Sequence, residues 1–207
     1  MKTMKNYVWM LLLALPLLAT AQDLTPVVQT LNKAKEVSEF MQVRSKLERF
    51  SIAKPDVWLA NYYLAYVDVQ LSFQLPSKDE KAQYLREAED YLNKLPELKD
   101  TELSEVYTLK GLRLYGLIAS DPQTNGPKYS GEIMANYEKA LALNPNNPRA
   151  MILLALYKNN MAQFMHQANP SFQQEVDKAA AVFETENTTT ANPAWGRAWI
   201  QMARNSK

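Results

Sequence analysis

The 207-residue sequence contains no cysteine and only one histidine, His166. Without cysteine the chain forms no disulfide bond, no catalytic thiolate and no sulfur-ligated zinc site, and it lacks the lipid-bearing cysteine of a bacterial lipoprotein. His166 lies in a polar segment, residues 163–169, and is expected to be a solvated loop residue, because a histidine metal site or triad needs partners that the chain does not supply.

Patterns typical of enzymes are missing as well. The sequence has no Gly-x-Ser-x-Gly, no phosphate-binding glycine loop and no His-Glu-x-x-His pattern. Its carboxylates, such as Glu87, Glu89 and Asp90, stand beside lysines and arginines, as on solvated helix faces. We therefore expect a protein that is not an enzyme and has no cofactor or catalytic residue. A hydrolase with an unrecognised site is the least favoured alternative.

An excess of charge of either sign is also missing. The chain has 23 basic and 22 acidic residues. Removing Lys2 and Lys5 with a signal peptide leaves 21 basic and 22 acidic residues, hence a net charge of −1. Such a surface offers no electrostatic footprint for nucleic acid or for an anionic membrane.

The N-terminus has the features of a secretory signal peptide. Lys2 and Lys5 precede 11 apolar residues, 8–18, and the small-x-small pattern Ala19-Thr20-Ala21 follows. This apolar run is too short for a membrane span, which needs about 20 helical residues. We expect residues 1–21 to be cleaved as the signal peptide, leaving 22–207 as a single domain in the periplasm or secreted, without stable membrane insertion.

Only five glycines occur in the chain, all in its second half, and helix-forming residues fill the stretches between prolines. Phe40, Val43, Leu47 and Phe50 repeat at helical spacing and stop before Pro55. Similar patterns predict nine helices joined by short polar turns. The fold class is therefore an all-α antiparallel array of helix pairs.

Residues 137–147, Tyr-Glu-Lys-Ala-Leu-Ala-Leu-Asn-Pro-Asn-Asn, resemble the second helix of a tetratricopeptide repeat and the turn after it. Residues 104–115 resemble a first helix, with Tyr107 as the large residue and Gly111 as the small one. The chain also resembles a group of small exported bacterial proteins with this architecture, for which no activity is assigned. The resemblance implies a right-handed superhelix of about four helix pairs plus a C-terminal capping helix.

In such arrays the first helix of each pair lines a concave groove that binds partners. The expected groove residues are Leu59, Tyr63, Tyr66, Thr108, Leu112, Tyr115, Arg149, Ile152 and Asn159. The aromatic residues of the third helix allow two interpretations: Tyr63 and Tyr66 pack in the core, or they face the groove and stack on a peptide. The first hypothesis for function is an exported scaffold that binds another protein or an extended peptide in this groove.

The alternative hypothesis is a binding protein for a small molecule or peptide. Residues 121–129, which include Asn125-Gly126-Pro127, have the composition of a turn. Long ordered loops on a rigid scaffold often carry function. In this alternative, residues 118–131 form a loop that closes over the groove as a lid.

The mature protein is expected to begin at Gln22, because signal peptidase accepts the Ala-Thr-Ala ending. Intact-mass measurement of the exported protein checks this expectation. A mass that retains residues 1–21 would show that the segment is not a cleaved signal peptide.

Overall fold

The computed structural model describes residues 23–187 and 191–205, and within these ranges it contains nine α-helices, one short 3-10 helix and no strand. The all-α prediction is confirmed. The expected signal peptide and its cleavage site lie outside the described residues. The helices are α1 Thr25–Leu31, α2 Val37–Ala53, α3 Trp58–Gln74, α4 Lys78–Lys94, α5 Leu103–Ser120, α6 Pro122–Leu143, α7 Pro148–Phe164, α8 Phe172–Glu184 and α9 Arg197–Asn205, with the 3-10 helix at Leu95–Glu97 after α4.

Side-chain caps define where several helices begin. The side chain of Asn147 accepts hydrogen bonds from the backbone N–H of Arg149 and Ala150, and Pro148 occupies the first turn of α7. Glu36 and Glu39 form a reciprocal capping box at the start of α2. Each cap satisfies backbone donors that the first helical turn leaves free.

Each helix packs against the one before it, and α5 also packs against both α3 and α7. Because short turns join the helices, neighbours run antiparallel. Helix α3 lies at the centre, with 13 of its 17 residues buried. A helix that is apolar on nearly all sides belongs in the interior, and α2, α4 and α5 pack against α3.

One ion-pair cluster joins the first three long helices. Arg44 of α2 donates a 2.6 Å hydrogen bond from Nε to the buried carboxylate of Asp68 in α3, and it also pairs with Glu48 and with Glu87 of α4. Burial raises the pKa of Asp68 to about 7, against the opposing effect of the Arg44 guanidinium. The cluster therefore supplies the partner that this buried carboxyl requires.

The predicted loop at 118–131 is wrong: α5 continues to Ser120 and α6 begins at Pro122. Asp121 caps α6 by accepting a hydrogen bond from the N–H of Thr124, and proline fits the first helical position. The Asn125 side chain donates to the Leu117 carbonyl at the end of α5, with a distance of 2.7 Å. The two side chains therefore pair an N–H at the start of α6 and a carbonyl at the end of α5. With these groups paired, a segment of turn-like composition can form a helix.

Gly111 lies where α5 and α6 approach closely, as predicted. A Cβ atom at this position would lie 2.5 Å from Cε1 of Tyr137, which is buried. We expect Gly111→Leu to lower the free energy of unfolding by about 1–3 kcal/mol through overpacking. Chemical denaturation measures this change.

Gly131→Leu is the matched control, because a Cβ atom at this α6 position meets no atom within 4 Å. The control should be neutral or slightly stabilising, since leucine favours a helix more than glycine does. Equal stability of the two variants would contradict the close packing of Gly111 on Tyr137.

Candidate functional site

Most of the predicted groove residues are buried in the folded protein. Tyr63, Thr108, Leu112 and Ile152 have no exposed surface, and Tyr66, Arg149 and Asn159 are less than a tenth exposed. Leu59 and Tyr115 are partly exposed. The interpretation of Tyr63 and Tyr66 as packed residues is confirmed, and the interpretation that Tyr63 faces an accessible groove is wrong. Contact of these nine residues with a partner stays a prediction.

The chain's own C-terminal segment, defined here as residues 191–205, covers these tyrosines. Trp195 stacks on Tyr66 with ring centroids 4.5 Å apart and an angle of 24° between the planes. The Trp195 indole N–H donates a 2.8 Å hydrogen bond to the hydroxyl of Tyr62, and the Tyr63 hydroxyl donates to the carbonyl of Asn192 at 2.9 Å. The aromatic surface that was expected to receive a partner therefore receives Trp195.

Arg149 holds the C-terminal segment against α5 and α7. Its Nε donates to both carboxylate oxygens of Glu105 at 3.0 Å, and its Nη2 lies 2.7 Å from Oε1 of Glu186. Its Nη1 donates to the carbonyl of Trp195 at 3.4 Å. Burial, the largest single effect, would lower the pKa of Arg149, but Glu105, Tyr62 and Glu186 together outweigh it and raise the pKa. The guanidinium is therefore a permanent cation in the interior.

Glu105 accepts further hydrogen bonds from the hydroxyl of Tyr62 at 2.7 Å and from Nδ2 of Asn147 at 2.8 Å. Burial raises the pKa of Tyr62 well above its ordinary value, which keeps the phenol protonated as a donor. With tyrosine, asparagine and arginine donors around it, the buried carboxylate is fully partnered. This geometry indicates a structural role for the cluster.

An apolar pocket of about 660 Å³ lies where α5, α6 and α7 meet, and we call it the corner pocket. Its lining residues are Tyr115, Ile118, Pro122, Gln123, Gly126, Pro127, Ser130, Tyr157, Asn160, Met161 and Phe164. Its walls include the end of α5 and the first turns of α6, which is the segment that the sequence predicted as a lid.

Aromatic and sulfur-containing side chains dominate one wall of the corner pocket. Phe164 at the end of α7 is 81% exposed, and Tyr157 and Met161 of the same helix also line the pocket. The hydroxyl of Tyr157 donates to the carbonyl of Ser130 at 3.2 Å, which fixes the ring between α6 and α7. Sequence reasoning missed this pocket, although the apolar Phe164 inside the polar segment 163–169 was a signal for it.

His166 is exposed with a positive φ of 55° just beyond α7, so its prediction as a solvated loop residue is confirmed. Within residues 23–187 and 191–205, no cluster of three or more histidine, aspartate or glutamate side chains is suited to hold a metal ion. In the same ranges, no helix is both long and apolar enough to span a bilayer.

The Arg149–Glu105 pair generates a stability prediction. We expect Arg149→Met to destabilise the protein by about 3–5 kcal/mol, because it leaves Glu105 buried without its cation. Adding Glu105→Gln to this variant should recover part of the loss, since the amide carries no charge. Arg204→Met is the control. Because the pair of Arg204 with Asp177 is exposed, this substitution should change the free energy of unfolding by less than about 1 kcal/mol. Chemical denaturation measures the free energy of unfolding of each variant. An equally small loss in Arg149→Met and Arg204→Met would contradict a structural role for the buried ion pair.

Comparison with solved structures finds the same type of fold in another protein. The chain is similar to the HusA haemophore from Porphyromonas gingivalis, with a TM-score of 0.76 and 24% sequence identity over 87% of this chain and 88% of that chain. No family model matches the chain, and no curated protein matches it. The resemblance to the tetratricopeptide family therefore stays a hypothesis. The similarity to the haemophore shows that the two chains share an all-α helical fold.

Proposed function

We propose that this protein is an exported, non-catalytic carrier that binds a large, flat, apolar ligand of the haem type in the corner pocket. The single observation that carries the proposal is the pocket itself, which is apolar, accessible and about 660 Å³ in volume. This volume falls within the range of about 300–1,000 Å³ typical of small-molecule sites. The fold shared with a haemophore supports haem as the first ligand to test.

The chemistry of the lining suits a porphyrin. Tyr115, Tyr157 and Phe164 offer ring faces for stacking on a flat macrocycle, and Pro122 and Pro127 add rigid apolar surface. Burial of apolar ligand area stabilises a complex by about 25 cal/mol per Å² before the losses of association are subtracted.

Two kinds of lining atom could also contact the iron of a bound haem. The phenol oxygen of Tyr115 and the thioether sulfur of Met161 belong to the side-chain types that bind haem iron in proteins.

The burial of the predicted groove favours this proposal over the scaffold hypothesis. A protein or extended peptide that bound Tyr63 or Tyr66 would first have to displace the C-terminal segment. That displacement would break the stacking of Trp195 on Tyr66 and the hydrogen bond from Arg149 to the carbonyl of Trp195. The corner pocket requires no such rearrangement.

Gly126 allows a direct test of the corner pocket. A Cβ atom at this position meets no atom within 4 Å, so Gly126→Phe should fill the pocket without disturbing the helix. We expect the dissociation constant for hemin, measured by Soret absorbance during titration, to rise at least about tenfold, or about 1.4 kcal/mol.

Gly131→Phe is the matched control, since Gly131 is also in α6, has the same open surroundings and does not line the pocket. Phe164→Ser and Ile52→Ser form a second matched pair, because each of these apolar residues is 81% exposed. Only Phe164→Ser should weaken hemin binding. Unchanged hemin affinity in both Gly126→Phe and Phe164→Ser, or no binding by the unmodified protein, would rule out the corner pocket as a haem site.

A further inference from the structure

A smaller pocket of about 220 Å³ adjoins the corner pocket, and we call it the middle pocket. It lies between α5, α6, α7 and α9, and it shares Tyr115, Tyr157 and Asn160 with the corner pocket. Its other lining residues are Tyr137, Leu153, Leu156, Trp199 and Met202. Because the three shared side chains border both spaces, a ligand in the corner pocket can extend into the middle pocket.

Tyr137 of α6 brings an unpaired hydroxyl to the middle pocket. The residue is 1% exposed, and its ring packs on Gly111. The phenols of Tyr115 and Tyr157 line the same pocket, but neither forms a hydrogen bond with Tyr137. Within the described part of the chain, the Tyr137 hydroxyl has no other hydrogen-bond partner.

The oxygen of Tyr137 can be reached from the middle pocket. Among the described residues that are not exposed, Nε2 of Gln70 is the one side-chain nitrogen or oxygen that is both inaccessible and without a partner. The Tyr137 oxygen also lacks a partner, so it must keep accessible surface, and that surface faces the pocket that Tyr137 lines. Burial raises the pKa of this phenol well above its ordinary value, so the hydroxyl remains a donor at neutral pH.

The middle pocket offers hydrogen-bond donors and no carboxylate that would compete for them. Of the described residues, none that lines the middle or the corner pocket is charged. The exposed amide of Asn160 borders the same space and is a second donor. A ligand that filled the middle pocket with apolar atoms alone would cut the Tyr137 hydroxyl off from water and leave it unpaired, which costs free energy. The pocket therefore favours a part of a ligand that carries an acceptor.

We propose that the middle pocket binds a carboxylate arm of the flat apolar ligand that the corner pocket holds. The macrocycle lies in the corner pocket, and the arm passes Tyr115 and Tyr157 and accepts a hydrogen bond from Tyr137. Haem is a ligand of this shape, because its carboxylate arms extend from one edge of an apolar macrocycle. This inference rests on the proposed function, since it requires a ligand in the corner pocket. It makes Tyr137 the residue that selects macrocycles with carboxylate arms over macrocycles with alkyl arms.

Two iron porphyrins test the hydrogen bond: hemin, which has carboxylate arms, and iron octaethylporphyrin, which has only ethyl groups at its edge. Tyr137→Phe keeps the ring on Gly111 and removes the hydroxyl. In Soret titrations this variant should bind hemin about tenfold more weakly, because it loses a hydrogen bond to a charged group, and should bind iron octaethylporphyrin as the unmodified protein does. Tyr107→Phe is the matched control, since Tyr107 is a half-buried tyrosine of α5 that lines neither pocket, and it should change neither affinity.

Two further measurements separate ligand binding from a structural role and locate the arm. Because the Tyr137 hydroxyl has no partner in the free protein, ligand-free Tyr137→Phe should be at least as thermally stable as the unmodified protein. Met202 of α9 lines the middle pocket and is 47% exposed, whereas Met41 of α2 is 38% exposed and lines neither pocket. Met202→Trp should narrow the middle pocket and lower hemin affinity at least about fivefold, and Met41→Trp should not.

The outcomes for the two pockets are distinguishable. If hemin does not bind, or binds Gly126→Phe as tightly as the unmodified protein, the proposed function fails and this inference fails with it. If Gly126→Phe weakens hemin binding but Tyr137→Phe keeps full affinity, or loses affinity for both porphyrins equally, this inference alone is overturned. Lower thermal stability of ligand-free Tyr137→Phe, or equal hemin affinity in Met202→Trp and Met41→Trp, would also overturn it.

Discussion

The guanidinium of Arg149 lies where α5, α7 and the segment that leads to the C-terminus meet. It contacts Glu105 on one side and Glu186 and the carbonyl of Trp195 on the other. A cation without partners is strongly disfavoured in the interior, so all of these partners must be in place together. The position of the C-terminal segment follows from this requirement as much as from apolar contact.

Closure of the C-terminal segment decides which surfaces are available for binding. Trp195 stacks on Tyr66, and the predicted groove residues of α3 are thereby covered by the chain's own C-terminal segment. Accessible apolar space persists at the corner of α5, α6 and α7 and in the adjoining middle pocket beside α9. Together these spaces have the size of a small-molecule site, which is why the proposed function concerns a small ligand.

The helical periodicity of the sequence was enough to predict the fold but not the accessible surfaces. Phe40, Val43, Leu47 and Phe50 recur at helical spacing, and all four are buried on one face of α2. For Tyr63, spacing shows which face it occupies but not what covers that face, because Trp195 is more than 130 residues away in the chain. A long-range contact of this kind leaves no local pattern. The turn composition of residues 118–131 predicts a loop, but the caps made by Asp121 and Asn125 allow α5 and α6 to fill this segment.

Hydrogen exchange of the Trp195 indole N–H tests the central claim, that the C-terminal segment covers the tyrosines of α3. This N–H donates to the buried hydroxyl of Tyr62, so its exchange requires the segment to detach. We expect protection close to that of the core amides of α3, whose exchange reports global unfolding. Rapid exchange of this N–H in protein whose α3 amides stay protected would contradict the account, because the segment would then leave an open groove.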